Sequence, residues 1–273
     1  LKYQSGRDIY NDIEGGIRIA TYNDGIYYQS PKGYSFEQII EYHSGDPSLK
    51  GQRQNVVNDI VQIGTDQIWM ATEFGLKLYD PSRKVFSMHT ALNGEQGIAN
   101  NRLKCLAYDN YGKLWIGTFN GLTSLDIKTN AVQNFNIVSK NEYQSSWTEI
   151  YDIGLTDSNA WAGTNNRGLI CVSFDGQINQ YADHFNKSAN HINVLHGSRE
   201  TIWIGSNAGL SAIDPRTRRF RSIGHENYFF KSKNIVSISE HVRGNLWLGT
   251  ERSGLIYFNP NTLEFLSIKE EDG

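Results

Sequence analysis

One repeat limits what this chain can fold into. Aligned on tryptophan, five segments fall into register: Ile68–Leu76, Leu114–Leu122, Ala160–Leu169, Ile202–Leu210 and Leu246–Leu255. Each runs through a Trp (Trp69, Trp115, Trp161, Trp203, Trp247), a small residue two places on, a Thr or Ser, and a closing Gly-Leu. A weaker copy opens the chain at Ile17–Ile26, with Arg18 in the tryptophan's place. The anchors recur about every 45 residues, a period that marks arrays whose units cannot bury an apolar face alone.

Each copy reads as four short strands. The first is a run such as Ile235–Ser239, the second carries the Trp, the third follows Gly-Leu, and the fourth holds an aromatic (Phe86, Phe135, Tyr181, Phe220 or Phe265). Turn residues separate them: Asp109–Gly112 between strands one and two, Asn120-Gly121 between two and three, and Asp80-Pro81, Asp214-Pro215 or Asn259-Pro260 between three and four. Asn-Gly suits primed hairpin turns with positive φ at both central residues. Asp-Pro opens the commoner turns, because proline presets φ. Helical periodicity is absent, so the pattern predicts an all-β fold, a β-propeller of four-stranded antiparallel blades. Six repeats are visible. A six-bladed ring and most of a seven-bladed ring both fit, and the 17 residues before Arg18 leave no room for another copy. Residues 1–273 are expected to form one propeller domain. The small residues two after the anchors (Ala20, Ala71, Gly117, Gly163, Gly205, Gly249) are expected to leave room for a neighbouring blade's Trp, making the repeated tryptophans scaffold.

Composition mostly excludes. The net charge of −3 offers no basic surface for nucleic acid. Two cysteines, Cys105 and Cys171, are too few for a disulfide framework and read as buried thiols. The seven histidines show no metal spacing; His191 and His196 would lie on opposite sides of a regular strand. No metal, cofactor or catalytic residue is expected. No Gly-x-Ser-x-Gly motif occurs, and Glu73, Asp24 and Glu251 come from different blades, so no glycosidase carboxylate pair can be assembled from spacing. No apolar run is long enough to span a bilayer, and nothing near Leu1 resembles a signal peptide, as in a chain cut from a longer protein or relieved of its leader.

The string Leu-Trp-Ile-Gly-Thr-Phe-Asn-Gly-Leu at 114–122, preceded by Tyr108–Gly112, resembles the two-component regulator propeller repeat. The likeness extends from about Ile9 to Phe265, with Arg18 as its main departure. That family forms the periplasmic sensor region of hybrid two-component systems of gut Bacteroides and their relatives. The resemblance implies a non-catalytic sensor domain of a membrane-anchored parent, periplasmic in location, that senses glycan-derived oligosaccharides and signals to a kinase. It also implies pairing with a second propeller or a second copy. A protein-interaction propeller is the alternative, and a propeller glycoside hydrolase or lyase a more remote one.

Meander topology puts the loop between strands two and three on the same side as the link to the next blade, and this is the expected binding face. Between the repeated Thr and Gly the residues vary: Tyr22-Asn23-Asp24, Glu73-Phe74, Phe119-Asn120, Asn165-Asn166-Arg167, Asn207-Ala208 and Glu251-Arg252-Ser253. Amides, charges and aromatic rings suit sugar hydroxyls and C–H faces, although exposed turns are polar in any case. Asn55, Asn101, Asn190 and Asn234 stand 13 or 14 residues before an anchor Trp and are expected to hold the entering loop. At the corresponding place before Trp161 stands Trp147, suited to stacking on a sugar or to plugging a loop. The expected ligand-binding residues are Trp147, Arg167, Asn166, Arg252, Glu73, Phe119 and Tyr22. Glu142-Tyr143 and the segment 226–230 read as apolar lids or a partner contact. Arg216, Arg218, Arg219 and Arg221 lie on the opposite side, as a solvated turn or a docking surface.

Overall fold

The computed structural model describes residues 6–268, apart from 13, 23, 34, 40–55, 90–96, 136, 138–147, 182–190, 198–199, 224–229, 231–232 and 242–243. The regular elements among them are strands, grouped by fours into six antiparallel sheets in which each strand pairs with the next along the chain. The first sheet is β1 (Gly6–Asn11), β2 (Ile17–Thr21), β3 (Ile26–Gln29) and β4 (Glu37–Ile39); the second is β5 (Val57–Ile63), β6 (Gln67–Thr72), β7 (Gly75–Asp80) and β8 (Val85–His89). The third is β9 (Leu103–Tyr108), β10 (Lys113–Thr118), β11 (Gly121–Asp126) and β12 (Val132–Phe135); the fourth is β13 (Ile150–Leu155), β14 (Asn159–Thr164), β15 (Leu169–Ser173) and β16 (Ile178–Tyr181). The fifth is β17 (Ile192–Gly197), β18 (Ile202–Ser206), β19 (Gly209–Ile213) and β20 (Phe220–Ser222); the sixth is β21 (Ile235–Glu240), β22 (Leu246–Thr250), β23 (Leu255–Phe258) and β24 (Phe265–Ile268). These are propeller blades, one per repeat.

The chain divides into two compact units, Leu1–Val138 and Ser139–Gly273, of three blades each. Within the first, β1 lies beside β5 and β5 beside β9; within the second, β13 lies beside β17 and β17 beside β21. Within each unit the outgoing face of a blade, carrying the Trp, packs on the incoming face of the next. Trp69, Ala71 and Leu76 share a core with Leu103, Leu106, Leu114 and Ile116 of the following blade. Trp161 and Leu169 meet Ile192, Leu195, Ile202 and Ile204. Trp203 and Leu210 meet Ile235, Leu246 and Leu248. Fully burying one Trp is worth roughly 4–6 kcal/mol as an upper bound, which is why the repeat keeps it.

The small residue two after the Trp has a different role from the one expected. A Cβ on Gly163 would lie 2.6 Å from Ile192 Cγ2, and one on Gly205 would lie 2.8 Å from Ile235 Cγ2. The notch therefore receives the first residue of the next blade's innermost strand, not a neighbouring Trp. A branched aliphatic fills so narrow a gap at interior packing density, whereas an indole is too large for it.

Arg18 keeps part of a tryptophan's chemistry. In the third blade Asp109 accepts the N–H groups of Tyr111 and Lys113 on one oxygen and Trp115 Nε1–H on the other, at 3.2 Å. In the first blade Asp12 accepts Glu14 and Gly16 N–H on one oxygen and Arg18 Nη1 on the other, at 2.6 Å. Arg18 also donates to Gln62 of the second blade at 2.9 Å and lies over the Tyr28 ring. Both members of the Arg18–Asp12 pair are buried, so losing either would strand a charge, at a cost of about 3–5 kcal/mol.

Candidate functional site

The face expected to bind a ligand is built around one repeated hydroxyl. In every blade the motif Thr or Ser donates from its side chain to the carbonyl of the closing Gly: Thr21 to Gly25, Thr72 to Gly75, Thr118 to Gly121, Thr164 to Gly168, Ser206 to Gly209 and Thr250 to Gly254, at 2.7–3.1 Å. The same oxygen accepts a backbone N–H from the last inserted residue, namely Asp24, Phe74, Asn120, Arg167, Ala208 and Ser253. The clamp fixes the backbone and leaves the inserted side chains free to differ. Loop length decides the glycine's conformation: φ is 109–123° after two-residue inserts (Gly75, Gly121, Gly209) and 68–75° after three-residue inserts (Gly25, Gly168, Gly254). Both ranges favour Gly. Of Asn120-Gly121, only Gly121 has positive φ, so this loop is not the doubly positive primed turn that the dipeptide suggested.

A second device is a β-bulge at the start of every innermost strand. The pairing register shifts at Arg7, Asn58, Lys104, Tyr151, Asn193 and Val236, each skipped by the strand ladder between its neighbours. A bulge re-aims a side chain. Here it turns four of them toward an insert or the next blade. Asn58 donates to Glu73 Oε1 at 3.2 Å and to the Leu103 carbonyl at 2.7 Å. Asn193 donates to Asn234 at 2.7 Å and to the Ile235 carbonyl at 2.8 Å. Arg7 lies over the Tyr22 ring, and Tyr151 meets the His191 ring edge-on. Beyond the bulge, the Asp59 and Asp152 carboxylates each accept a backbone N–H of the following blade, from Leu106 at 2.6 Å and Leu195 at 2.7 Å.

The most developed polar cluster belongs to the first unit. Arg102, at the entry of the third blade, donates Nε–H to Glu73 Oε2 at 2.9 Å and covers the Phe119 ring at 4.2 Å. Partial burial pushes the Glu73 carboxyl up, but the hydrogen bonds from Arg102 and Asn58 and the positive charge outweigh it, holding the pKa below the ordinary value. Glu73 is therefore an anion fixed by two donors, suited to accepting hydrogen bonds. A raised pKa, as a general acid needs, is absent here. Among the described residues no group of three or more His, Cys, Asp or Glu is placed to hold a metal ion.

Residues 97–120, which span this cluster's third-blade portion, match the two-component regulator propeller family. That segment carries a two-component regulator propeller repeat. The chain is 28% identical over 251 residues to histidine kinase P4 of Formosa agariphila, an alignment covering 86% of this chain and 18% of the kinase. It is similar in structure to the extracellular domain of a putative one-component system from B. thetaiotaomicron (TM-score 0.76, 22% identity, 100% of this chain and 34% of that one). It is also similar to the extracellular domain of a putative hybrid two-component system from the same organism (TM-score 0.70, 20% identity, 97% of this chain and 36% of that one). These structures show the propeller fold. The chain thus spans under a fifth of the curated kinase and about a third of each solved chain.

On this propeller the expected site residues separate by unit. Glu73 and Phe119 come together through Arg102, and Tyr22 lies against Arg7. In the second unit Asn166 is half-buried, and its Oδ1, like that of Asn165, is enclosed without a hydrogen-bond partner. Arg167 is only 2% exposed, and burial lowers its pKa. Its carbonyl accepts from Gln180. Arg252 is exposed, beside Glu251, which accepts from Asn234 at 2.8 Å. Trp147, Asn55, Asn190, Glu142, Tyr143 and 226–229 lie outside the described residues. Phe230 is fully buried against Phe258 and Phe265, a core residue and not a lid.

His196 bonds Glu240 at 3.0 Å while His191 meets Tyr151, so the two histidines serve separate contacts. The bulge between them also breaks the alternation on which their opposite placement was argued. Cys105 and Cys171 are both buried thiols, neither of them in a disulfide. The arginine cluster on the opposite side divides. Arg216, Arg219 and Arg221 are exposed. Arg218, at positive φ, reaches back over Trp161 at 4.6 Å and donates to Cys171 and Asn159, so it is a packing residue of the preceding blade.

The residues missed by reading the sequence are the bulged ones and Arg102. A signal was present. The two inward apolar residues of each innermost strand after the first stand three apart (Val57/Ile60, Leu103/Leu106, Ile150/Ile153, Ile192/Leu195, Ile235/Ile238), whereas a regular strand would place them two or four apart.

Proposed function

We propose that this chain is a non-catalytic, extracytoplasmic sensor domain that binds a glycan-derived oligosaccharide on its insert face and signals to a kinase in a membrane-anchored parent. The observation that carries the reading is the clamp: one hydroxyl holds the insert backbone in every blade, while the residues held there differ and are rich in amides, charges and rings. Such an arrangement spends its variation on recognition and its constancy on preorganisation, which reduces the entropy lost on binding. The carboxylate of Glu73 and the ring of Phe119, joined through Arg102, present an acceptor and an apolar surface side by side. The related histidine kinase and the extracellular domains of similar fold support the sensing role and the location outside the cytoplasm.

Calorimetric titration against oligosaccharides from plant and host glycans tests this. Saturable heat is expected with one class, and Phe119→Ala is expected to weaken it roughly tenfold, equivalent to about 1.4 kcal/mol. Silence across the panel would count against a sugar ligand for this domain. Sugar-independent capture of a purified extracytoplasmic partner would favour the protein-interaction alternative.

A further inference from the structure

A second variable position lies beside the inserts. In the last four blades the N–H of the first inserted residue bonds the carbonyl of the residue that enters the innermost strand. Phe119 donates to Arg102 at 2.9 Å, Asn165 to Glu149 at 3.2 Å, Asn207 to His191 at 3.3 Å and Glu251 to Asn234 at 3.0 Å. The backbone is held alike, while the side chain is in turn a guanidinium, a carboxylate, an imidazole and an amide. Of these four, Arg102 brings a permanent positive charge to the face.

The Arg102 guanidinium is fixed twice. Its Nε–H rests on Glu73 Oε2 at 2.9 Å, and the group lies over the Phe119 ring at 4.2 Å from the centroid. Glu73 is itself held through its other oxygen by Asn58. An arginine carries five N–H donors. Glu73 takes the one on Nε, and among the described residues nothing accepts from Nη1 or Nη2. The side chain is 49% exposed, so this end of the fork is both held in place and open. The other arginines of the insert faces are built differently. Arg252 is exposed with no hydrogen bond or ring contact among the described residues, and Arg7 has the Tyr22 ring but no ion pair there. Arg167 is buried.

The cluster also carries excess charge. Lys104, on the adjoining bulge, is close enough to help hold the Glu73 pKa down, which sets two cations against one carboxylate. We infer, resting on the oligosaccharide reading of this face, that the Nη groups of Arg102 bind the oxyanion of an acidic sugar, a uronate carboxylate or a sulfate ester. Two parallel N–H donors match two oxygens of such a group, and charge-assisted bonds of this kind are about twice as strong as neutral ones. A sugar hydroxyl would occupy one donor and leave the excess charge unmatched. Glu73 and Phe119 are then positioning residues, which set the angle and the plane of the fork. A lysine at this place would offer a point charge with neither the stacking nor the fork. Because the guanidinium is already immobilised, binding through it loses less side-chain freedom than binding through Arg252 would.

Calorimetric titration with matched pairs tests the inference. Uronate oligosaccharides from plant and host glycans are each paired with their carboxyl-reduced form, and sulfated ones with their desulfated form. In one kind of pair the acidic member is expected to bind roughly 10- to 100-fold tighter, and that pair names the anion. The advantage should shrink as salt is raised. Arg102→Gln is expected to bring the acidic member to within about threefold of its neutral partner. Arg216→Gln removes the same charge from the opposite side and should leave the advantage intact. Arg102→Lys keeps the charge without the fork and should recover only part of it. Equal affinities within both kinds of pair overturn the inference and leave the oligosaccharide reading standing. So does an advantage that survives Arg102→Gln, or that Arg102→Lys retains in full should the glutamine variant not fold. Silence of acidic and neutral sugars alike overturns both.

Discussion

The second and sixth blades are written in nearly the same residues and meet different surroundings. Both carry the Trp, the small residue, the Thr clamp and a Glu as first inserted residue. In the second blade Trp69 and Leu76 are sealed under the third blade, and Glu73 is gripped by that blade's Arg102. In the sixth blade Trp247 is half-buried, Leu255 is 40% exposed, and Glu251 is exposed, with its hydrogen bond from Asn234 of its own blade. A blade's motif is thus only half an interface, and its energetic value depends on what the next blade brings.

The largest expected effect tests that statement directly. Leu76→Ala is expected to destabilise the chain by about 2–5 kcal/mol, through lost burial and a residual cavity. Leu255→Ala should cost less, about 1 kcal/mol, in the 273-residue chain, because the residue is already 40% exposed there. Urea unfolding midpoints measure both, and equal losses would break the comparison. The notch gives a smaller version. Gly205→Ala is expected to cost about 1–3 kcal/mol by driving a methyl against Val194 and Ile235. Gly249→Ala should cost less, because the new methyl meets chiefly the Ser237 hydroxyl of its own sheet, which can rotate away.

The smallest effect concerns the two glutamates. Glu73 has its folded pKa lowered by its partners, so it contributes stability above the ordinary carboxylate pKa and loses it as pH falls through the lowered value. Arg102 is half-exposed, so solvent screening keeps this contribution below about 1 kcal/mol. Glu73→Gln should therefore weaken the chain slightly at pH 7, and the deficit should close as the solution is acidified below about pH 4. Unfolding curves at the two pH values would show it. A deficit that persisted in acid would mean that packing, not charge, holds Glu73 in place.

Much of this was legible in the chain. Repetition of Trp69, Trp115, Trp161, Trp203 and Trp247 with their Gly-Leu partners determined the four-stranded blades, because each strand's hydrogen bonding and each turn's glycine are local requirements repeated in register. The inserts were located for the same reason. Arg18 could be placed at a tryptophan position, and its chemistry became clear only when Asp12 and Asp109 were seen to accept the same kind of donor.

What the sequence left undecided depends on contacts between residues far apart in the chain. The bulges that turn Asn58 and Asn193 toward neighbouring blades follow from how two innermost strands fit together. Arg102 acts on an insert 29 residues away, and Arg218 packs on a Trp of the preceding blade. Arg167, written into an exposed-looking loop, is only 2% exposed, its N–H held by the Thr164 hydroxyl. The chain's letters set the shape of a blade, since that shape rests on neighbouring residues. Only the tertiary structure decided which copies of the motif find a partner surface, since burial is a property of two faces meeting and a repeat specifies one of them at a time.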